Sequence, residues 1–225
     1  MEVLNAAVGS YSSFQGLQRL KYAVLPYRPD IVTIYFGWND HWVTSTTDRN
    51  IRVYSDTEIR LLNFFENFRV FQALNYLITT LRSRKPPQNT KDSVLNLRLR
   101  VSAKEYSDNL SAMIKLAREN KIRPILITAP QEIGNWLGRN QVFPFPKQLL
   151  LLTHESYNDT VRQVARATNT ELIDLAKEVA LQPPGSVLST DGIHFHEKGC
   201  AWVAGRLARY LESTPSWIPP ETAAT

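Results

Sequence analysis

The chain has 225 residues, enough for one domain with a sizeable core, and its 43% hydrophobic content argues against disorder. Its net charge of +5, from 26 basic and 21 acidic residues, is mild and spread out, so it gives no electrostatic footprint for nucleic acid. No apolar run approaches the ~20 residues needed to cross a bilayer, and a single cysteine, Cys200, excludes an internal disulfide.

Strand and helix signals alternate along the chain, which predicts a parallel sheet covered by helices. Val3–Ala6 reads as a short buried strand. A helix follows, with Ser12 and Gln15 spaced as a capping box, Leu17, Leu20 and Val24 at helical spacing, and Pro26 as its end. Ile31–Phe36 is β-branched and aromatic with little alternation, and predicts a strand buried on both faces. After an irregular stretch from Thr44 to Ser55, an apolar helix is expected from Asp56 to Leu81, carrying Phe64, Phe65, Phe68 and Phe71. Arg82–Arg100 is polar and basic and reads as an excursion.

Ser102 and Glu105 cap the next helix, whose inward stripe is Tyr106, Leu110, Met113 and Ala117. Pro124–Thr128 is a further strand, and Gly134–Pro146 a loop. A helix over Leu149–Thr168 turns Tyr157, Val161 and Val164 inward. Glu171–Asp174 is the last strand, and the last helix runs from Glu197 to Leu211. Its Gly199, Ala201, Ala204, Gly205 and Ala208 predict close approach to the sheet, and Cys200 among them reads as a buried small residue. These elements form one domain, residues 1–211, with 44–101 as a helical and loop excursion and 212–225 as a tail.

Ligands of open α/β sheets bind beyond the carboxyl ends of the strands, and the polar residues of interest fall there. Asp191-Gly192-Ile193-His194 precedes the last helix. A carboxylate three residues before a histidine can reach its Nδ1, fix the tautomer and leave Nε2 as a general base. The same spacing also suits a turn capped by Asp191 with His194 incidental. Gly37-Trp38-Asn39-Asp40 follows the strongest strand. Asn39 could donate an amide N–H to a developing oxyanion, or the segment could simply end the strand. Trp38 and Trp42 flank Asn39 and could line a substrate cleft or pack on the aromatic helix. His41 reads as a solvated loop residue. His194 and His196 are two apart, but a zinc site needs three or four convergent ligands and no HExxH or CxxC spacing occurs, and no Gly-x-Gly-x-x-Gly or Walker-type loop is present.

Three blocks occur in order: Asn5-x-x-x-Gly9 before a capped helix, Gly37-x-Asn39-Asp40 after a buried strand, and Asp191-x-x-His194 near the C-terminus. Together with Ser102–Pro130, Tyr157–Ala165 and Asp174, this pattern resembles the SGNH (GDSL-type) hydrolase family from Val3 to about Leu211. The resemblance implies an αβα sandwich with a flavodoxin-like, five-stranded parallel sheet. It implies hydrolysis of acyl esters, of a lipid or an acylated carbohydrate, without metal or other cofactor. His194 would then be the base, Asp191 its orienting carboxylate, and Asn39 and the Ser10 backbone the oxyanion donors. Gly37, Trp38 and Trp42 would line the substrate.

Two departures follow. The family usually has glycine at the position of Ser10, so a positive φ there would strain serine. The family's nucleophile lies in a Gly-Asp-Ser motif on the first strand, and no Gly-Asp-Ser occurs in these residues. Ser12 and Ser13 read as helix-capping residues instead. That first strand would sit between Val3–Ala6 and Ile31–Phe36, so its absence predicts a marginally stable chain with unpaired strand edges and no turnover alone. The contrasting reading is a non-catalytic carbohydrate- or lipid-binding module that keeps the cleft.

Overall fold

The computed structural model describes residues 2–44, 46–50, 64–65, 68–74, 77, 98–132 and 147–214. The chain divides into two compact units, one formed by Met1–Trp42 with Leu99–Thr225 and the other by Val43–Arg98. The polar segment at 82–97, the loop expected at Gly134–Pro146 and the tail after Pro215 lie outside the described residues.

The first unit is built on a parallel sheet of β1 (Ile31–Tyr35), β2 (Arg123–Ile127) and β3 (Glu171–Ile173), in the order β1-β2-β3. Ile31 sits opposite Arg123 and Ile125 opposite Glu171. β2 is central and all five of its residues are buried, as a doubly covered parallel strand requires. Side chains alternate across the sheet. Ile34, Leu126, Val32 and Leu172 face one core with Leu110, Met113, Tyr157 and Val161. Ile31, Ile125, Ile127 and Ile173 face a second core with Val179, Leu188, Trp202 and Leu207. Two cores on two faces make a three-layer αβα sandwich.

The helices follow local chemistry. α1 (Ser13–Arg19) starts where the Ser12 N–H donates to Gln15 Oε1 at 3.0 Å. Helical backbone continues past Pro26 through a π-helical turn and a 3-10 turn, and stops at Arg28, whose φ is 49°. Pro26 fits there because the first turn of a helix needs no N–H from it. α2 (Ala103–Glu119) carries the Ser102–Glu105 capping box and buries Tyr106, Leu110, Met113 and Ala117. α3 (Lys147–Ala167) buries Tyr157, Val161 and Val164. A short α4 (Leu175–Ala180), which the periodicity did not predict, follows β3.

Several expectations are corrected. Val3–Ala6 forms no strand, and Val3 is 77% exposed. A strand needs a ladder partner, and β1 is hydrogen-bonded to β2 alone, leaving its outer edge unpaired among the described residues. For the same reason β1 is not buried throughout: Thr33 and Tyr35 are exposed. The sheet has three strands among the described residues where five were implied. In α5 (Glu197–Ser213), Gly199 alone of the small residues is fully buried. A Cβ there would lie 1.8 Å from Val187 O, so only glycine allows that contact. Ala201 and Ala204 are exposed, as is Cys200. The helix packs through Trp202, Val203, Leu207 and Tyr210, which share the face of Gly199, while Ala201 and Ala204 lie on the opposite side.

In the second unit, residues 64–65 and 69–74 are helical, within the expected Asp56–Leu81 helix. Phe64 and Phe68 stack edge to face with ring centroids 5.2 Å apart. Among the described residues no helix is long and apolar enough to cross a membrane.

Candidate active site

The loop before α5 sets Asp191 and His194. Asp191 Oδ1 accepts the backbone N–H groups of Ile193 at 2.9 Å and His194 at 3.0 Å, and the Ser189 hydroxyl at 3.1 Å. Its Oδ2 lies 2.6 Å from His194 Nδ1. Burial would raise this carboxyl, but those donors outweigh it and hold Asp191 down at about 2. A carboxylate accepts only, so Nδ1 carries the hydrogen and Nε2 is left as the proton-accepting nitrogen. The two sequence readings of Asp191 are therefore compatible: one oxygen caps the turn and the other orients the imidazole.

Asn39 stands in the turn after β1. Its Nδ2 donates to Tyr11 O at 3.2 Å, which uses one amide hydrogen and leaves a second. Ser10 lies in the turn closed by the Tyr11 N–H to Val8 O bond, and its φ is 65°. A side chain in this left-handed region costs about 1 kcal/mol, so the strain foreseen for serine in a glycine position is present. Ser10, Trp38, Asn39, Trp42, Arg100, Ile193 and His194 surround one cavity of about 400 Å³. That volume is within the usual range of small-molecule sites. Three segments far apart in sequence thus meet at one place. Gly37 is not on the cavity wall. Its φ of 138° lets the turn pass Tyr106 and Ala129, so its part is conformational.

Residues 1–202 match the GDSL-like lipase/acylhydrolase family. The chain belongs to that family. Family membership supports an acylhydrolase or esterase function. Among curated proteins none matches this sequence. Solved structures do. A lipase/acylhydrolase from Enterococcus faecalis shares 21% identity with a TM-score of 0.54, covering 95% of this chain and 75% of its own. An acetylxylan esterase from Geobacillus stearothermophilus shares 18% identity with a TM-score of 0.51, covering 94% and 72%. The acetyl xylan esterase AlAXEase shares 17% with a TM-score of 0.51, covering 91% and 78%. At these identities the likeness is one of fold.

Around the cavity this GDSL-like chain holds residues that sequence reasoning missed. Arg100 donates from Nη1 to Ser10 O at 2.9 Å and from Nη2 to Gln15 Oε1 at 3.0 Å, tying the Ser10 turn to the cap of α1. Asp40 is fully buried. It accepts the Ser13 N–H at 2.8 Å and the Gly37 N–H at 3.1 Å, joining α1 to the Asn39 turn. Burial raises its carboxyl to about 6, against the pull of those donors. Ser13 also accepts from Asn109 Nδ2 at 3.0 Å, so its hydroxyl belongs to this network.

His41, expected in solvent, is 2% exposed and packs with His154, which is 1% exposed. Trp38 stacks on His154 with ring centroids 3.9 Å apart and donates from Nε1 to Pro130 O at 3.2 Å. It packs on α3 through His154. The available signal was spacing: His154 continues the Tyr157, Val161 and Val164 stripe one turn toward the N-terminus. No cluster of three or more His, Cys, Asp or Glu suited to a metal occurs among the described residues.

Proposed function

We propose that this chain is the acyl-ester-hydrolysing part of a serine esterase, with His194 as general base, Asp191 as its orienting carboxylate, and Asn39 and the Ser10 backbone N–H as oxyanion donors. The observation that carries the reading is the single cavity on which Ser10, Asn39 and His194 converge. The serine nucleophile comes on a strand outside these residues, laid along the open edge of β1. Two facts support that: the sequence holds no Gly-Asp-Ser, and β1 has an unpaired edge among the described residues.

In this mechanism the serine hydroxyl attacks the ester carbonyl while His194 Nε2 takes its proton. The second Asn39 amide hydrogen and the Ser10 N–H stabilise the oxyanion as charge develops. His194 then passes its proton to the leaving alcohol, and water, activated by the same nitrogen, cleaves the acyl-enzyme. Asp191 stays ionised throughout and steadies the imidazolium. Trp38 and Trp42 offer flat apolar walls to an acyl group or a sugar ring.

The test is hydrolysis of an activated acetate ester by two proteins: these 225 residues alone, and the same residues preceded by a Gly-Asp-Ser-bearing strand. The first should give background and the second turnover that His194→Ala removes. Binding of an acylated sugar or lipid with no turnover in either protein would favour the non-catalytic module instead.

A further inference from the structure

Beneath Trp38 lie two histidines that the acyl-transfer chemistry does not use. His41 Nε2 is 3.0 Å from His154 Nδ1, and His154 Nε2 is 2.8 Å from Ala129 O. A carbonyl only accepts, so His154 Nε2 carries a hydrogen. In a neutral ring Nδ1 is then an acceptor, and His41 must donate to it from Nε2. His41 Nδ1 is left as a bare lone pair, and it is a buried nitrogen with no hydrogen-bond partner among the described residues. The hydrogens therefore run one way, from His41 to His154 to Ala129. The reverse order would set the His154 Nε2 lone pair against the carbonyl.

Each end of this chain of bonds is fixed. Ala129 is gripped by Asn158 of α3, its N–H donating to Oδ1 and its carbonyl accepting from Nδ2, both at 2.9 Å. His154 stacks on Trp38, and His41 stands edge to face with Tyr157 at 5.4 Å. Asn39 lies between Trp38 and His41, so both of its flanking anchors close on the same helix.

We propose that His41 and His154 are positioning residues, a one-way neutral pair that clamps the Asn39 turn to α3 and the end of β2 and so sets the aim of the Asn39 carboxamide. The proposal rests on the reading of Asn39 as an oxyanion donor. A proton on His154 Nδ1 would point at the N–H of His41, and the clamp would open. Of the titratable groups around the pair, Glu155 favours that charge on His154, and burial outweighs it. Tyr157 faces His41 and donates its own hydroxyl to Val101 O. Glu155 beside His154 is paired with Arg162 at 2.5 Å, and Asp40 beside His41 is committed to Ser13 and Gly37. Among the described residues no carboxylate hydrogen-bonds either ring. Burial accordingly lowers His41 to about 3 and His154 to about 4.

The experiment is long-range proton–nitrogen NMR of the full ¹⁵N-labelled chain, with the Asn39 side-chain NH₂ signals as the reporter. At neutral pH both rings should be neutral with the hydrogen on Nε2. On acidification the Asn39 signals should hold and then shift with the midpoint of the His154 ring. His154→Phe keeps the stacking on Trp38 but neither hydrogen bond, and should displace the Asn39 signals at neutral pH and remove their acid step. His154→Gln can donate to Ala129 O and accept from His41, and should return them to the wild-type positions without the acid step. An Nδ1–H tautomer or a charged ring at neutral pH, random-coil shifts for both rings, or Asn39 signals indifferent to His154→Phe would each overturn the clamp. Failure of the hydrolase reading looks different: the clamp is intact by these signals, yet Asn39→Ala leaves turnover of the serine-bearing protein unchanged.

Discussion

At the rim of the cavity the His194 side chain is 79% exposed and held by a single carboxylate. Behind the Asn39 turn, His41 and His154 are sealed from water and held by each other and by a backbone carbonyl. The same side chain serves opposite ends because its surroundings differ. Burial beside a second ring disfavours the charged form of His41 and His154. The carboxylates divide the same way. Asp191, fed by backbone donors, sits at about 2, while Asp40, deeper and fully buried, rises to about 6.

The largest test of that contrast acts on the rim. In the serine-bearing protein, His194→Ala should lower kcat about 10⁴-fold or more, read with a saturating acetate ester. Retained turnover would remove His194 from the base role. Asn39→Ala should cost about 10²–10³-fold in kcat with KM little changed, as expected for a donor used only in the transition state. A loss confined to KM would make Asn39 a substrate-binding group.

The interior is tested by stability against pH. A lowered histidine pKa means that the unfolded chain binds protons first, so the pair costs stability as pH falls from 6.5 toward 4 and 3. Asp40, raised from 3.8 to about 6, takes its proton first in the folded state, and so adds stability as pH falls through 6 toward 3.8. Two histidines against one aspartate leave one net proton. Between pH 4 and 6 these three groups should therefore make the unfolding free energy fall as pH falls, on the order of 1 kcal/mol per pH unit. Asp40→Asn should steepen that slope, and His154→Phe should flatten it. Denaturant titrations across this range measure all three, and equal slopes would break the assignment. Asp191 contributes below this window, its share being present above 3.8 and lost as pH falls toward 2.

The smallest effect returns to the rim. Ser10→Gly relieves a positive φ and should stabilise the chain by up to about 1 kcal/mol in denaturant titrations. A loss of stability would mean that the Ser10 side chain contributes more than its strain costs.

Much of the scaffold was legible without coordinates. The capped starts at Ser12 and Ser102, the stripes Tyr106–Leu110–Met113–Ala117 and Tyr157–Val161–Val164, and the apolar runs of β1, β2 and β3 are local signals, written in the spacing of neighbouring residues. The Asp191–His194 contact was one of two readings that the spacing allowed, because three residues of turn suffice to make it but do not require it. Val3–Ala6 failed as a strand although its composition fits one, because pairing is a property of a neighbour. Cys200 and the alanines around it pointed outward because one turn of α5 is oriented by Gly199 against Val187, a contact between distant segments.

The sequence by itself determined the alternation of strands and helices, the family and that Asp191 could reach His194, since each depends on residues close together along the chain or on motif order. Only the tertiary structure decided that His41 is buried against His154, that Asp40 joins two elements, and that Ser10, Asn39 and His194 share one cavity. The first two depend on desolvation and on contacts across 113 and 27 residues of sequence, and the cavity joins segments farther apart still, which no local spacing encodes.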